Sequence, residues 1–324
     1  MSGFESYLAA QYPGARVTQL SASNNTVFLV TGTAGADGTD GVAGAPAGLV
    51  AKHVTDSDIP LSYLAESNAA LARTIPVQRV RRVLDQERGD PFDGVLADYV
   101  PGTDLATVLA EDEKALPAEE LSEQLARFLL ACRELPRMHD GYGPYKRTAP
   151  RVATHTEFVQ RYAARYWGRA RPLYQDTEIG DAVDDWVNHR LPEALRRNPA
   201  PHAVVPIDAN LKNFVVTPDG RLVTLNVPIA AVSTPAHAVA AVSAHLRGRA
   251  LHQVFLDHVL ESQCAADAEL VPHFELWALL GILSFYAVRH PLERDTWRDW
   301  GSPVLLDEDF RSLVGELLLK RAPR

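Results

Sequence analysis

Short apolar runs dominate the first hundred residues and predict β-strands. Turn-forming residues separate these runs, which cover residues 16–20, 26–30, 48–54, 79–84 and 94–99. Residues 62–75 have a different pattern, because Leu64, Ala65, Asn68 and Leu71 recur at the spacing of one helical face. This part of the chain is therefore predicted to be a small β-rich unit that contains one helix.

A glycine-rich segment interrupts this unit. Residues 31–48 contain six glycines and almost no large apolar side chain. Such a composition lacks the apolar surface needed for packing and leaves the backbone many conformations. We predict a flexible loop at the tip of a hairpin.

After Pro101-Gly102, which breaks the strand pattern, the apolar positions follow a helical period. Helices are predicted at residues 118–135, 154–170, 181–191 and 274–288. Pro192 is expected to end the third helix, and the fourth is so apolar that it is expected to be buried. The apolar stripe of the first helix consists of Leu121, Leu125, Phe128, Leu129 and Cys132.

One β-hairpin is predicted among these helices. Residues 203–216 and 221–227 are both rich in β-branched side chains, and Thr217-Pro218-Asp219-Gly220 between them is a turn sequence. The chain is therefore expected to be an α+β protein. We place a domain boundary near residue 100, which separates a β-rich unit (residues 1–100) from a helical one (residues 101–324).

Composition narrows the classes of function. The net charge is −9, which argues against a nucleic acid as partner, because phosphate backbones bind basic surfaces. Two cysteines do not make a disulfide framework. The apolar stretch 222–242 contains Pro228 and Pro235, so no membrane span is predicted there. Residues 1–15 lack a secretory pattern, and we expect a cytoplasmic protein.

Two motifs follow each other in the helical unit. The first is Pro206-Ile207-Asp208-Ala209-Asn210-Leu211-Lys212-Asn213, and the second is Asp219-Gly220-Arg221-Leu222-Val223-Thr224-Leu225-Asn226-Val227. Together they resemble the catalytic loop and the following hairpin of the aminoglycoside phosphotransferase and choline kinase branch of the protein-kinase-like fold. The resemblance extends in order over nearly the whole chain. It implies a bilobal fold, with a small β-rich N-lobe and a larger helical C-lobe that contains an inserted β-hairpin.

In that family the catalytic loop reads His-Gly-Asp-x-x-x-x-Asn. Asp208 and Asn213 keep this spacing, whereas Pro206 and Ile207 replace the first two residues. The resemblance implies that Asp208 accepts the proton of an acceptor hydroxyl and that Asn213 binds a metal on the nucleotide phosphates. The alternative is an ordinary loop aspartate followed by an asparagine that caps a turn.

Asn226 takes the position of the family's second metal ligand, an aspartate. An amide offers magnesium a neutral oxygen where the ion prefers an anion, so a weakened Mg site made of Asn213 and Asn226 is expected. Asn226 would otherwise simply end a strand before a turn.

The resemblance also assigns residues in the N-lobe. Lys52, one of only five lysines, corresponds to the phosphate-pairing lysine, and Glu66 to the helix glutamate that orients it. Ser23 and Asn24 lie in the phosphate-loop hairpin, although Ser21 and Ala22 stand where glycine is common. A strand lysine is otherwise an edge residue, and a helix glutamate a surface residue.

Asp98 and Tyr99 belong to a segment, Val95 to Leu105, that is similar to the family's hinge. In the family, backbone groups of this segment bind the adenine of ATP. The other interpretation is a strand that ends at a Pro-Gly turn.

Two hypotheses follow. The first is an ATP-dependent phosphotransferase that acts on a hydroxyl of a small molecule or of a peptide Ser/Thr, in antibiotic modification or natural-product biosynthesis. The second is a pseudokinase that uses the same fold to bind a peptide or a partner protein. Pro206 and Asn226 favour the second hypothesis, while Asp208, Asn213, Lys52 and Glu66 favour the first.

Overall fold

The computed structural model describes residues 3–22, 26–32, 48–54, 59–263, 265–289 and 306–319. Ser23, Asn24 and residues 33–47 of the glycine-rich segment lie outside the described residues.

A five-stranded antiparallel sheet forms most of the N-terminal part, with the strand order β1-β2-β3-β5-β4. Its strands are β1 (Arg16–Ala22), β2 (Thr26–Thr31), β3 (Leu49–His53), β4 (Val80–Leu84) and β5 (Gly94–Asp98). All five correspond to predicted apolar runs. Helix α1 (Gly3–Gln11) was not predicted, because its apolar residues are too sparse for a clear helical stripe.

The two faces of this sheet have different neighbours. On one face, Phe4 of α1 packs with Phe28 and Ala51 in a small apolar cluster. On the other face, Val54 and Val95 pack with Leu61 of helix α2 (Leu61–Leu71). Because neighbouring strand residues point to opposite faces, Lys52 lies on the same face as Val54 and α2.

The helical part contains the main apolar core of the described chain. Its helices are α3 (Leu105–Glu111), α4 (Ala118–Cys132), α5 (His155–Ala170), α6 (Glu178–Asp185), α7 (Leu191–Arg197), α8 (Pro235–Ser243), α9 (Ala250–Gln263), α10 (Val271–Arg289) and α11 (Leu306–Val314). The predicted stripe of α4 is confirmed, because all five of its residues are buried. Short α3 was not predicted.

Helix α10 is long and apolar enough to span a membrane by length and composition, but it is a core helix here. Within the segment Ala268–Val288, an 18-residue window has a mean hydropathy of 1.4, and 56% of this window is buried inside the fold. It packs on α5, α8 and α11. The prediction of full burial is wrong at the C-terminal end, where Phe285 and Val288 are exposed at the surface.

Pro192 does not end a helix, contrary to the sequence prediction. A π-helical turn, Trp186–Arg190, joins α6 to α7, and Pro192 lies in the first turn of α7. Proline is tolerated there because the wider turn changes the hydrogen-bond pattern and the missing N–H lies at a helix start.

The predicted hairpin is more elaborate than expected. Residues 203–216 form β7 (Ala203–Asp208), a 3-10 turn (Leu211–Asn213) and β8 (Phe214–Val216), which pairs with β9 (Leu222–Thr224). Two short strands were not predicted. Strand β6 (Thr103–Asp104) adds to β8, and β10 (Ile229–Ser233) pairs with β7.

Gly102 permits the close approach of β6 to β8. Its φ is +146°, and a Cβ there would clash with the carbonyl oxygen of Val216. Strand β6 thus connects the segment after the five-stranded sheet to the hairpin. The domain boundary near residue 100 stays a prediction.

Candidate functional site

Lys52 is the last residue but one of β3 and lies opposite Val27 and Val95 on the neighbouring strands. Its side chain is half-buried, and burial lowers the pKa of its ammonium group. Within the described residues Lys52 has no ion pair. A cation placed in this way is suited to bind an anion, because it lacks a carboxylate that would neutralise it.

Two asparagines connect Lys52 to the β8–β9 hairpin. The Lys52 Nζ donates to the Asn226 Oδ1 at 3.4 Å, and the Asn226 Nδ2 donates to the Asn213 Oδ1 at 2.9 Å. The structure therefore brings together three residues that the sequence singled out. We call this row of side chains the Lys52–Asn226–Asn213 chain.

The hairpin places the two asparagines side by side. Asn213 directly precedes β8, whose Phe214 pairs with Thr224, and Asn226 follows Thr224 by two residues. Just before Asn213, the Asn210 side chain caps the 3-10 turn by accepting from the Lys212 N–H at 2.9 Å. The N–H of Leu225, just after β9, donates to the carbonyl of Asn213, just before β8, at 2.7 Å.

A short connector holds this hairpin against the sheet. After α2, the Pro76 carbonyl accepts from the Thr224 N–H at 3.1 Å, and the Gln78 N–H donates to the Thr224 carbonyl at 2.8 Å. On the other side, Phe214 packs edge-on against Phe128 of α4, with ring centroids 4.8 Å apart. These contacts bring Asn226 within reach of Lys52, although the two residues are 174 positions apart.

Asp208 is the last residue of β7, and its side chain is exposed. The charge of Asp208 affects the pKa of two groups. The pKa of Tyr166, on α5, is raised by burial and also by the neighbouring Tyr162 and Asp208. The pKa of buried His245 is lowered by burial, which the Asp208 carboxylate partly offsets. Asp208 therefore lies near an aromatic hydroxyl and an imidazole.

Glu66 does not join the site. It is exposed on α2, whose buried face consists of other residues: Leu61, Tyr63, Ser67, Asn68, Ala70 and Leu71. Among the described residues no ion pair links Glu66 to Lys52, because the rotation of α2 directs Ser67 and Asn68 inward and Glu66 toward solvent. The predicted role of Glu66 in orienting Lys52 stays a prediction.

At the predicted hinge, protein contacts already use several polar groups. The Asp98 carboxylate pairs with Arg81, and its carbonyl accepts from the Gln78 Nε2 at 2.8 Å. The Tyr99 N–H donates to the Gly48 carbonyl at 3.0 Å. A carbonyl oxygen accepts two hydrogen bonds, so the Asp98 carbonyl keeps one lone pair for a ligand. The predicted role of Asp98 and Tyr99 in binding adenine stays a prediction.

The two asparagines do not fit a magnesium site. Both side-chain oxygens accept hydrogen bonds from inside the protein, Asn226 from Lys52 and Asn213 from Asn226. Both are neutral, whereas magnesium is held by carboxylates together with substrate phosphates. In the described part of the chain, no group of three or more His, Cys, Asp or Glu residues is arranged to hold a metal.

Comparison with solved structures identifies the fold. Aminoglycoside phosphotransferase APH(4)-Ia superposes with a TM-score of 0.64 at 16% sequence identity, covering 95% of this chain and 98% of that one. Choline kinase LicA from Streptococcus pneumoniae superposes with a TM-score of 0.59 at 12% identity, covering 97% and 98%.

A thermostable mutant of APH(4)-Ia, in ternary complex with ADP and hygromycin B, gives a TM-score of 0.62 at 16% identity, covering 96% and 99%. No family model matches the sequence, and no curated protein matches it significantly. The chain thus has the kinase-like fold of aminoglycoside phosphotransferases and choline kinase, with an antiparallel N-terminal sheet and a helical C-terminal part.

Proposed function

We propose that this chain is a phosphotransferase, which binds a nucleoside triphosphate next to Lys52 and transfers its terminal phosphoryl group to a hydroxyl. The observation that carries the proposal is the Lys52–Asn226–Asn213 chain, which joins β3 to the hairpin just after Asp208. A half-buried ammonium group and an exposed carboxylate are then available in one region, for phosphate binding and for proton transfer.

Phosphoryl transfer depends on positioning and on charge stabilisation more than on covalent chemistry of the protein. Lys52 supplies a positive charge for the phosphate oxygens. It acts strongly because it is partly removed from water and has no described ion pair. The hydrogen bond to Asn226 holds its ammonium group toward the hairpin.

Asp208 would orient the acceptor hydroxyl and accept its proton. Its position supports this role, because an exposed carboxylate at a strand end can contact a bound substrate. Tyr166 stacks edge-on with Tyr162 and Trp277 at centroid distances of 5.9 and 5.1 Å. This aromatic group near Asp208 supports an acceptor with a ring or another apolar surface.

We propose a small-molecule or peptide hydroxyl as the acceptor and ATP as the donor, with the reaction in the cytoplasm, where ATP is abundant. The names of the similar structures support a small molecule, because they include complexes with hygromycin B and with kanamycin, and a choline kinase. A role in antibiotic modification or in natural-product biosynthesis is part of the same proposal.

The test is nucleotide turnover by the purified full chain with an acceptor panel of hygromycin B, kanamycin, choline and Ser/Thr peptides. Asp208→Asn is expected to reduce turnover about 100- to 10,000-fold, because it removes the proton acceptor. ATP affinity is expected to stay within about twofold, because Asp208 does not belong to the phosphate-binding chain. Asp257→Asn, at an exposed position of α9, is the matched control. Equal turnover by the wild type and Asp208→Asn would refute the role of Asp208.

The structure favours one alternative, a pseudokinase that binds a ligand without transferring phosphate. The specific observations are the missing Lys52–Glu66 pair and the two asparagine oxygens that are engaged inside the protein. A binding module would bind ATP, yet it would release no phosphate with any acceptor, and Asp208→Asn would change nothing. A peptide or protein partner would then be the next ligand to seek.

A further inference from the structure

We infer that this chain binds its nucleotide without a divalent cation, because an N–H of Asn226 occupies the place where a cation would join two oxygens. The inference rests on the proposed function, since it concerns the same phosphate-binding region. It is derived from the orientation of two amide groups and from the charges around them.

The orientation of Asn226 follows from the donors and acceptors available. The ammonium group of Lys52 has only donors, so Asn226 must turn its oxygen toward Lys52. The NH₂ group of Asn226 is then directed to Asn213, which must present its own oxygen, at 2.9 Å. Each contact therefore has one donor and one acceptor.

An aspartate at position 226 would change the second contact. A carboxylate has no N–H, so two oxygens would face each other across the distance that the hydrogen bond now spans. Such a pair needs a cation between its oxygens, or a rotation of the Asn213 amide. With Asn226, the partial positive charge of its N–H faces the Asn213 oxygen, so no ion is needed between the two side chains.

Magnesium binding at these two asparagines is expected to be unfavourable. The ion would have to share each oxygen with its present donor, Lys52 at one and Asn226 at the other, and would gain two neutral ligands. It would also lie close to the ammonium group of Lys52, and two neighbouring cations repel each other. The hydrogen-bonded arrangement of the three side chains is therefore favoured over a metal-bound one.

The charges in this region favour a free nucleotide as well. The Lys52–Asn226–Asn213 chain contains one cation and no anion, and Glu66 lies exposed on α2 without an ion pair to Lys52 among the described residues. A free nucleoside triphosphate is more negative than its magnesium complex, so Lys52 attracts it more strongly. Metal-free phosphate binding is the expected result.

The first experiment is a calorimetric titration of the full chain with ATP, once in EDTA and once in excess MgCl₂. The dissociation constant in EDTA is expected to be equal to that in MgCl₂ within about threefold, or lower. Binding that is at least about tenfold tighter in MgCl₂ would overturn the inference while the proposed function stands. Absence of binding in both buffers would overturn both.

A matched pair of variants tests the role of Asn226 itself. Asn226→Asp is expected to make ATP affinity depend on magnesium by about tenfold or more, because it creates two facing oxygens and an anion. Asn188→Asp makes the same change in charge at an exposed position and is expected to keep the wild-type ratio. A folded Asn226→Asp variant with the wild-type ratio would overturn the inference.

Discussion

The two ends of the β7–β10 strand pair hold polar side chains in opposite surroundings. At one end Asp208 lies opposite Ile229, and its carboxylate is exposed. At the other end Ser233 lies opposite Ala203, and its side chain is fully buried. The same two strands therefore support an exposed candidate proton acceptor and an enclosed hydrogen-bond network.

The buried end contains a serine between two histidines, a combination that would suggest a nucleophile if it were exposed. The Ser233 Oγ lies 2.7 Å from the His155 Nε2 and 2.8 Å from the His237 Nδ1. With one O–H, Ser233 donates to one ring and accepts from the other. No substrate reaches a hydroxyl that is 0% exposed. Exposure, more than residue type, separates the candidate site from this structural network.

The largest expected effect is acid unfolding that starts at the buried end. Burial lowers the pKa of His155 to about 3, and it lowers the pKa of His202 and His237 as well. The folded state keeps these rings neutral, so stability is complete above the unfolded pKa of about 6.5 and is lost as pH falls below it. At pH 4, His155 alone is expected to cost about 3 kcal/mol of unfolding free energy.

Denaturant unfolding at pH 7, 5 and 4 measures this loss. His155→Gln cannot take up a proton, and it is expected to shift the acid midpoint to lower pH even if it is less stable at pH 7. An unfolding free energy that is the same at pH 7 and pH 4 would contradict the prediction.

The next-largest expected effect is a difference in stability between variants at the two ends of the strand pair. Ser233→Ala leaves two buried imidazoles without a partner and is expected to lower the unfolding free energy by about 2–3 kcal/mol. Asp208→Asn, at the exposed end, is expected to change it by less than about 0.5 kcal/mol. Urea melts of both variants measure these changes. Equal losses of unfolding free energy in the two variants would contradict the difference between the two ends.

How well the sequence predicts these regions depends on how far apart along the chain the contacting residues are. Local patterns are sufficient for the five strands of the sheet and for the stripe of α4, because periodicity and turn residues act over a few positions. They do not give the partner of Lys52, which is Asn226, because contacts between distant segments, such as those of Pro76 and Gln78 with Thr224, bring the two residues together. The rotation that exposes Glu66 is equally invisible, since it depends on packing between elements.

The smallest expected effect concerns the support of the hairpin. The Gln124 Oε1 on α4 accepts from the Leu222 N–H at 2.6 Å, so Gln124→Ala removes the partner of a backbone group at the start of β9. The unfolding free energy is expected to fall by about 1 kcal/mol. ATP affinity is expected to fall by about two- to threefold, because Asn226 is held by this hairpin. Thermal melts and calorimetry measure both, and unchanged values would mean that the hairpin is held elsewhere.

The central claim is that Lys52 holds the phosphates of a nucleotide, and a titration with ATP tests it most directly. Calorimetry on the wild type, Lys52→Met and the exposed control Lys114→Met compares the loss of this cation with the loss of another. The account predicts that Lys52→Met weakens ATP binding at least about tenfold, while Lys114→Met keeps the wild-type affinity. Equal affinity of Lys52→Met and the wild type would contradict it.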